Sequence, residues 1–129
     1  MEIVTHNPTS LAWIGDAVMS LYIRKALLDK GYRKADILQK KSAQWVSARH
    51  QSILLIKLLE ENYFTQDECE IIQRGRNANV NSRAKNASVK EYMDATALES
   101  VLGYLELYHH TERLEQILDH IIEIGEVEL

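Results

Sequence analysis

At 129 residues, 46% hydrophobic and 26% charged, the chain has the make-up of a single globular domain over residues 1–129, long enough to bury one sizeable core. One cysteine, Cys69, excludes an internal disulfide and a cysteine-based zinc cluster; with no apolar run near the ~18 residues of a membrane span and no signal-like start, a cytoplasmic protein without membrane contact is expected. The net charge of −4 argues against a nucleic-acid partner, but charge is segregated: Arg24 to Arg49 and Arg74 to Lys90 are basic, while from Glu91 onward the only basic residue among many acids is Arg113, so a positive face is compatible with the sequence.

Asn7-Pro8 starts the first helix, Asn as cap and Pro at a position whose missing donor had no partner. The helix runs to about Lys30, where Gly31 stops it. Leu11, Ile14, Val18, Leu21 and Leu28 step by three, four and seven and predict one apolar stripe. Asp16, beside Gly15, breaks that pattern. A carboxylate on a largely apolar helix needs a partner, and a mid-helix glycine costs roughly 1 kcal/mol against alanine. Two readings stay open at this point: a polar face or inter-helix bridge, or a functional site where local rules are broken together.

A second helix is expected from Lys34 to about Ala43. Ser47 caps a third, Ala48 to Asn62, whose Ile53, Leu54, Ile56, Leu58 and Leu59 make it apolar on more than one side and central to the core. Thr65-Gln-Asp-Glu68 has capping-box spacing and opens a fourth helix reaching about Arg74. Arg74 to Ala87 has neither helical nor strand period. Rich in Asn, Ser and positive charge, it reads either as a solvated loop or as a phosphate-binding one, with Arg able to make two parallel bonds to one phosphate.

Ser88-Val-Lys-Glu91 repeats the capping box and opens a helix from Val89 to about His109. Ala95, Glu99 and Gly103 lie four apart on it and share a face, with Thr96 adjacent. The first helix has a similar arrangement, Ala12 four residues before Asp16 and Gly15 beside it. Small residues let helices approach closely, so Asp16 and Glu99 are expected to meet where the two helices cross. Paired carboxylates in a tight site share a proton or hold a divalent cation. A last helix, Glu112 to Ile124, carries Leu114, Ile117, Leu118, Ile121 and Ile122 on one face. His109-His110 and Cys69 have no recognisable catalytic context, and Tyr104, Leu107 and Tyr108 read as packing.

Trp13-Ile-Gly-Asp-Ala-Val18, followed by Ala95-Thr-Ala-Leu-Glu-Ser-Val-Leu-Gly103, resembles the two signature segments of the ribonuclease III catalytic domain. The resemblance covers nearly the whole chain and is closest to the short bacterial branch called Mini-ribonuclease III, which Arg74-Gly-Arg-Asn-Ala78 also resembles. It implies an all-α, ribonuclease III endonuclease-domain-like helical bundle that cuts double-stranded RNA as a homodimer with magnesium. Asp16 and Glu99 match the signature acids and would be catalytic residues and Mg²⁺ ligands, the metal polarising the phosphate and helping deprotonate the attacking water to leave 5′-phosphate and 3′-hydroxyl ends. Trp13 matches a dimer-contact position. Ala12 and Thr96 stand where larger members carry further carboxylates, which leaves Thr96 a supporting hydrogen-bonding role. The substrate class implied is precursor ribosomal RNA, in 23S maturation, with a ribosomal protein or pre-ribosomal particle as a further partner class.

A lone catalytic domain needs its own grip on RNA. A dimer doubles each basic segment across one groove, which suits reading A-form RNA through phosphates and 2′-hydroxyls. Arg74, Arg76, Arg83 and Lys85 are the expected RNA contacts, with Lys40 and Lys41 secondary. Two rival readings are a catalytically silent ribonuclease III-like RNA-binding module associated with ribosome assembly, which would not depend on Asp16, and a helical interaction module without RNA affinity.

Overall fold

The computed structural model describes residues 2–78 and 88–129. They form six helices, α1 (Pro8–Asp29), α2 (Ala35–Val46), α3 (Ala48–Glu60), α4 (Gln66–Arg76), α5 (Val89–Leu107) and α6 (Thr111–Ile124), and no strand occurs among the described residues. The all-α expectation is met. None of these helices is long and apolar enough to cross a membrane.

The local signals act as their chemistry demands. The Asn7 side chain accepts from the Ser10 backbone N–H at 2.8 Å, and Gly31, at φ +100°, takes the left-handed turn beyond the end of α1. Ser47 accepts from the His50 N–H, and both capping boxes close reciprocally, Thr65 with Glu68 and Ser88 with Glu91. Several ends move. Helix α2 continues past Ala43 because Trp45 in its last turn is buried, with its indole against Gly125. Helix α4 continues through Arg76, and α5 stops at Leu107, ahead of His109 at φ +62°.

The hub of the core is α5, not α3. Helix α5 packs on α1, α3, α4 and α6, and most of it is buried from Asp94 to Leu105. Helix α3 contributes one buried side, through Leu54, Leu55 and Leu58, while Ile56 is exposed.

The buried stripe of α1 is also not the one the apolar spacing predicts. Leu11, Ala12, Gly15, Met19, Ile23 and Leu27 face inward, whereas Trp13, Leu21 and Leu28 are exposed. The reason lies in the contact with α5. A Cβ on Gly15 would fall 1.7 Å from the Glu99 carbonyl oxygen, and one on Gly103 would fall 1.8 Å from that of Leu11. Only glycine permits this approach, so the small side of α1 turns inward and a second apolar stripe is left outside.

Candidate functional site

The glycine contacts bring α1 and α5 together beside their carboxylates. Asp16 is exposed at the edge of the α1 packing face, and Glu99, one residue along from the buried Leu98, is half-buried. They line one open cleft of about 440 Å³ together with Trp13, Gln51, Tyr92 and Thr96. The expected meeting of the two acids occurs.

The electrostatics of the pair are strained. Burial pushes the Glu99 carboxyl up to about 8; a hydrogen bond from Gln51 opposes the rise, and the Asp16 carboxylate, within hydrogen-bonding reach, adds to it. Two acceptors at that separation need a proton or a cation between them. The donor atoms here are carboxylate and amide oxygens, the set a hard divalent cation takes, and Gln51 Oε1 is a buried acceptor with no hydrogen-bond partner. The residues present therefore fit a magnesium ion. Asp16 and Glu99 could hold it, though among the described residues no group of three or more His, Cys, Asp or Glu side chains is placed to do so.

Thr96 lines the cleft but is buried, and its hydroxyl donates to the Tyr92 carbonyl at 3.0 Å, one turn back on α5. Trp13 is 77% exposed at the cleft rim. Of the expected RNA contacts, none of the described ones lines the cleft. Arg74 is exposed at the end of α4 and, among the described residues, donates to the His6 carbonyl at 3.3 Å. Arg76 is engaged elsewhere, pairing with Asp94 at 2.9 Å. Lys40 is exposed on α2; Lys41 sits over the Tyr32 ring and donates to the Glu128 carbonyl at 3.4 Å. Arg83 and Lys85 lie outside the described residues.

Sequence reasoning passed over two residues. Gln51, in the second turn of α3, is 1% exposed and donates to Glu99 Oε2 at 3.2 Å. A lone amide among leucines and isoleucines was the available signal. Asp94, also 1% exposed, accepts from Ser52 at 2.6 Å, from Lys90 at 2.8 Å and from Arg76. The Lys90-to-Asp94 spacing of four was readable; the bonds from α3 and α4 were not.

The ribonuclease III domain model matches residues 9–109, a span that contains both carboxylates. A protein named Mini-ribonuclease 3 from Staphylococcus aureus is 42% identical over 118 residues, covering 92% of this chain and 88% of that one. One of the same name from Streptococcus pneumoniae is 43% identical over 117 residues, covering 91% of each. The crystal structure of a Fusobacterium nucleatum protein superposes with a TM-score of 0.80 at 30% identity, over 92% of this chain and 93% of that one.

Proposed function

We propose, since this chain belongs to the ribonuclease III family and is an endoribonuclease of that type, that its cleavage centre is the Asp16–Glu99 cleft and that its cofactor is Mg²⁺. The observation that carries this reading is the convergence of two carboxylates in one cleft, where burial pushes the Glu99 carboxyl up to about 8 and the Asp16 carboxylate adds to the rise. Two facing carboxylates, one of them partly buried, destabilise the fold when left short of counter-charge, and a bound divalent cation removes that penalty.

When bound, the cation supplies a Lewis acid for the scissile phosphate and a water of lowered pKa. The chain's own residues do the rest. Asp16, at the exposed edge, meets the substrate side of the site, while Glu99 is held from behind by Gln51. Thr96 keeps its hydroxyl on the α5 backbone, so its part is to shape the wall beside Glu99. Glycines 15 and 103 fix the distance between the two helices, and with it the separation of the acids.

The substrate is double-stranded RNA, and resemblance to the short branch supports structured precursor ribosomal RNA as its class, 23S maturation foremost, with a ribosomal protein or pre-ribosomal particle as partner. The six helices act as one catalytic domain. A homodimer is supported by the large apolar side chains that α1 leaves outside: Trp13, Leu21 and Leu28 are 77%, 60% and 46% exposed. Pairing two copies through them would double the basic segments beside the clefts.

The test is cleavage of a long double-stranded RNA in Mg²⁺ by the native chain and by Asp16→Asn, which keeps shape and removes charge. The native chain should cut, and the variant should bind the duplex while cutting about 10³-fold more slowly, a loss of several kcal/mol of charge stabilisation. Equal rates would remove Asp16 from the centre.

A further inference from the structure

Gln51 is the polar group that the carboxylate pair does not account for. Its side chain is 1% exposed, in the second turn of a helix whose start is fixed by Ser47. The two hydrogens of Nε2 are both used, one on the Val46 carbonyl at 2.9 Å and one on Glu99 Oε2 at 3.2 Å. Those acceptors fix the orientation of the amide: with oxygen and nitrogen exchanged, Oε1 would face a carbonyl and a carboxylate, and two hydrogen bonds would be lost. Oε1 is therefore an acceptor by assignment, buried and without a partner among the described residues. Buried acceptors in folded proteins are almost always satisfied, so an exception beside a reacting centre calls for a donor that arrives with something else.

The residue also lines the cleft that Asp16 and Glu99 share. Magnesium bound by one or two carboxylates retains several of its waters, and each of those waters is a strong donor in search of an acceptor. Resting on the cation reading proposed above, we infer that Gln51 is a positioning residue for the metal site, its Nε2 fixing Glu99 and its Oε1 accepting a hydrogen bond from the cation's hydration shell. This gives the site a neutral oxygen at a place where Asp16 and Glu99 alone leave the shell unsupported. It also explains why this buried amide leaves one acceptor over, where the neighbouring buried polar residues His50 and Ser52 are bonded within the protein: with the ion, Oε1 is half of a bridge.

The experiment is direct binding of Mn²⁺ by electron paramagnetic resonance, with Mg²⁺ calorimetry alongside, on the native chain, Gln51→Leu, Gln51→Met and Asp16→Asn, each without RNA. Melting of every variant in the metal-free state is recorded. The expected result is an affinity loss of about 10-fold or more for both Gln51 variants, at a metal-free melting temperature equal to or above that of the native chain. Using both Leu and Met guards against one side chain failing to pack. Native-like Mn²⁺ affinity in either folded Gln51 variant, with affinity lost in Asp16→Asn, overturns the Gln51 role and leaves the carboxylate site standing; it would mean that an ordinary buried water satisfies Oε1. Affinity and metal-free melting temperature falling together would assign Gln51 to the fold and overturn the role as well. A native chain that shows no Asp16-dependent binding overturns both the role and the cation reading beneath it.

Discussion

Asp94 and Glu99 stand on the same helix, each bonded to one of two consecutive residues of α3, Ser52 and Gln51, and they are opposites. Asp94 is the more deeply buried, yet its carboxyl lies below the ordinary carboxylate range: burial acts upward, and the bonds from Lys90, Ser52 and Arg76 outweigh it. At Glu99 burial pushes the carboxyl up to about 8, with the facing Asp16 carboxylate adding to the rise and only the Gln51 amide hydrogen opposing it. Burial acts upward on both acids. The count of donors separates them, because a carboxylate whose charge is fully met holds helices together, and one whose charge is left open waits for a ligand.

The largest effect should come from closing the open member. Glu99→Gln removes the charge that attracts a cation and should lower the cleavage rate by about 10³-fold. In metal-free buffer the same change should stabilise the fold. The folded chain holds the Glu99 proton up to about pH 8, against 4.5 for the unfolded group. Its contribution to stability is thus complete below pH 4.5 and is lost as pH rises towards 8. Glu99→Gln should melt higher than the native chain by an amount that grows over that window and reaches about 4 kcal/mol at its upper end. Thermal melts from pH 4.5 to 8.5 in chelator give the curve. Parallel curves for the two proteins would show that Glu99 is not the strained group.

Asp94→Ala should do the reverse, costing stability and leaving the chemistry. It frees two cations and a hydroxyl, but the side chains of Arg76 and Lys90 are 30% and 67% exposed and can turn to water. The expected cost is therefore about 2–3 kcal/mol, the low end for a broken buried pair, or roughly 10 °C in melting temperature. Cleavage at a temperature well below that melt should stay within a few-fold of native. The pH dependence is inverted too: the Asp94 contribution is present above its unfolded value of 3.8 and is lost as pH falls through its depressed folded value. A cleavage loss as large as that of Glu99→Gln would place Asp94 in the reacting centre and erase the contrast.

This contrast also marks what the sequence made legible. Caps, capping boxes and the Gly31 stop depend on residues three or four apart, and they were readable where they stood. Asp16 and Glu99 were readable because small residues beside them announced a close helix crossing. The inward face of α1 was misread for the same physical reason: of the predicted stripe Leu11, Ile14, Val18, Leu21 and Leu28, Leu21 and Leu28 are exposed, because the small residues Ala12 and Gly15 rather than the apolar spacing decide which side meets α5. Gln51 and Asp94 were missed because their roles depend on partners far away in the chain, 48 residues on for Gln51 and 42 for Ser52 with Asp94. The pairing of Arg76 with Asp94, 18 residues on, was out of reach of the sequence for the same reason.

That last pair yields the smallest but most discriminating prediction. Arg74 and Arg76 lie two residues apart in the last turn of α4, so charge alone gives them equal claims on a phosphate. Their surroundings do not. Arg74 is exposed, with one long bond to the His6 carbonyl, and can swing to a ligand at almost no cost. Arg76 would first have to leave a carboxylate that is 1% exposed. Arg74→Ala should therefore weaken binding to double-stranded RNA several-fold and reduce the slope of log affinity against log salt by about 1, with no change in melting temperature. Arg76→Ala should lower the melting temperature and leave the salt slope close to native, because a cation already neutralised by the protein releases few counterions from RNA. Titrations at four salt concentrations separate the two. If Arg76→Ala flattens the slope and Arg74→Ala does not, the duplex competes successfully for the Asp94 cluster, and the carboxylate with the most donors becomes a latch that RNA opens.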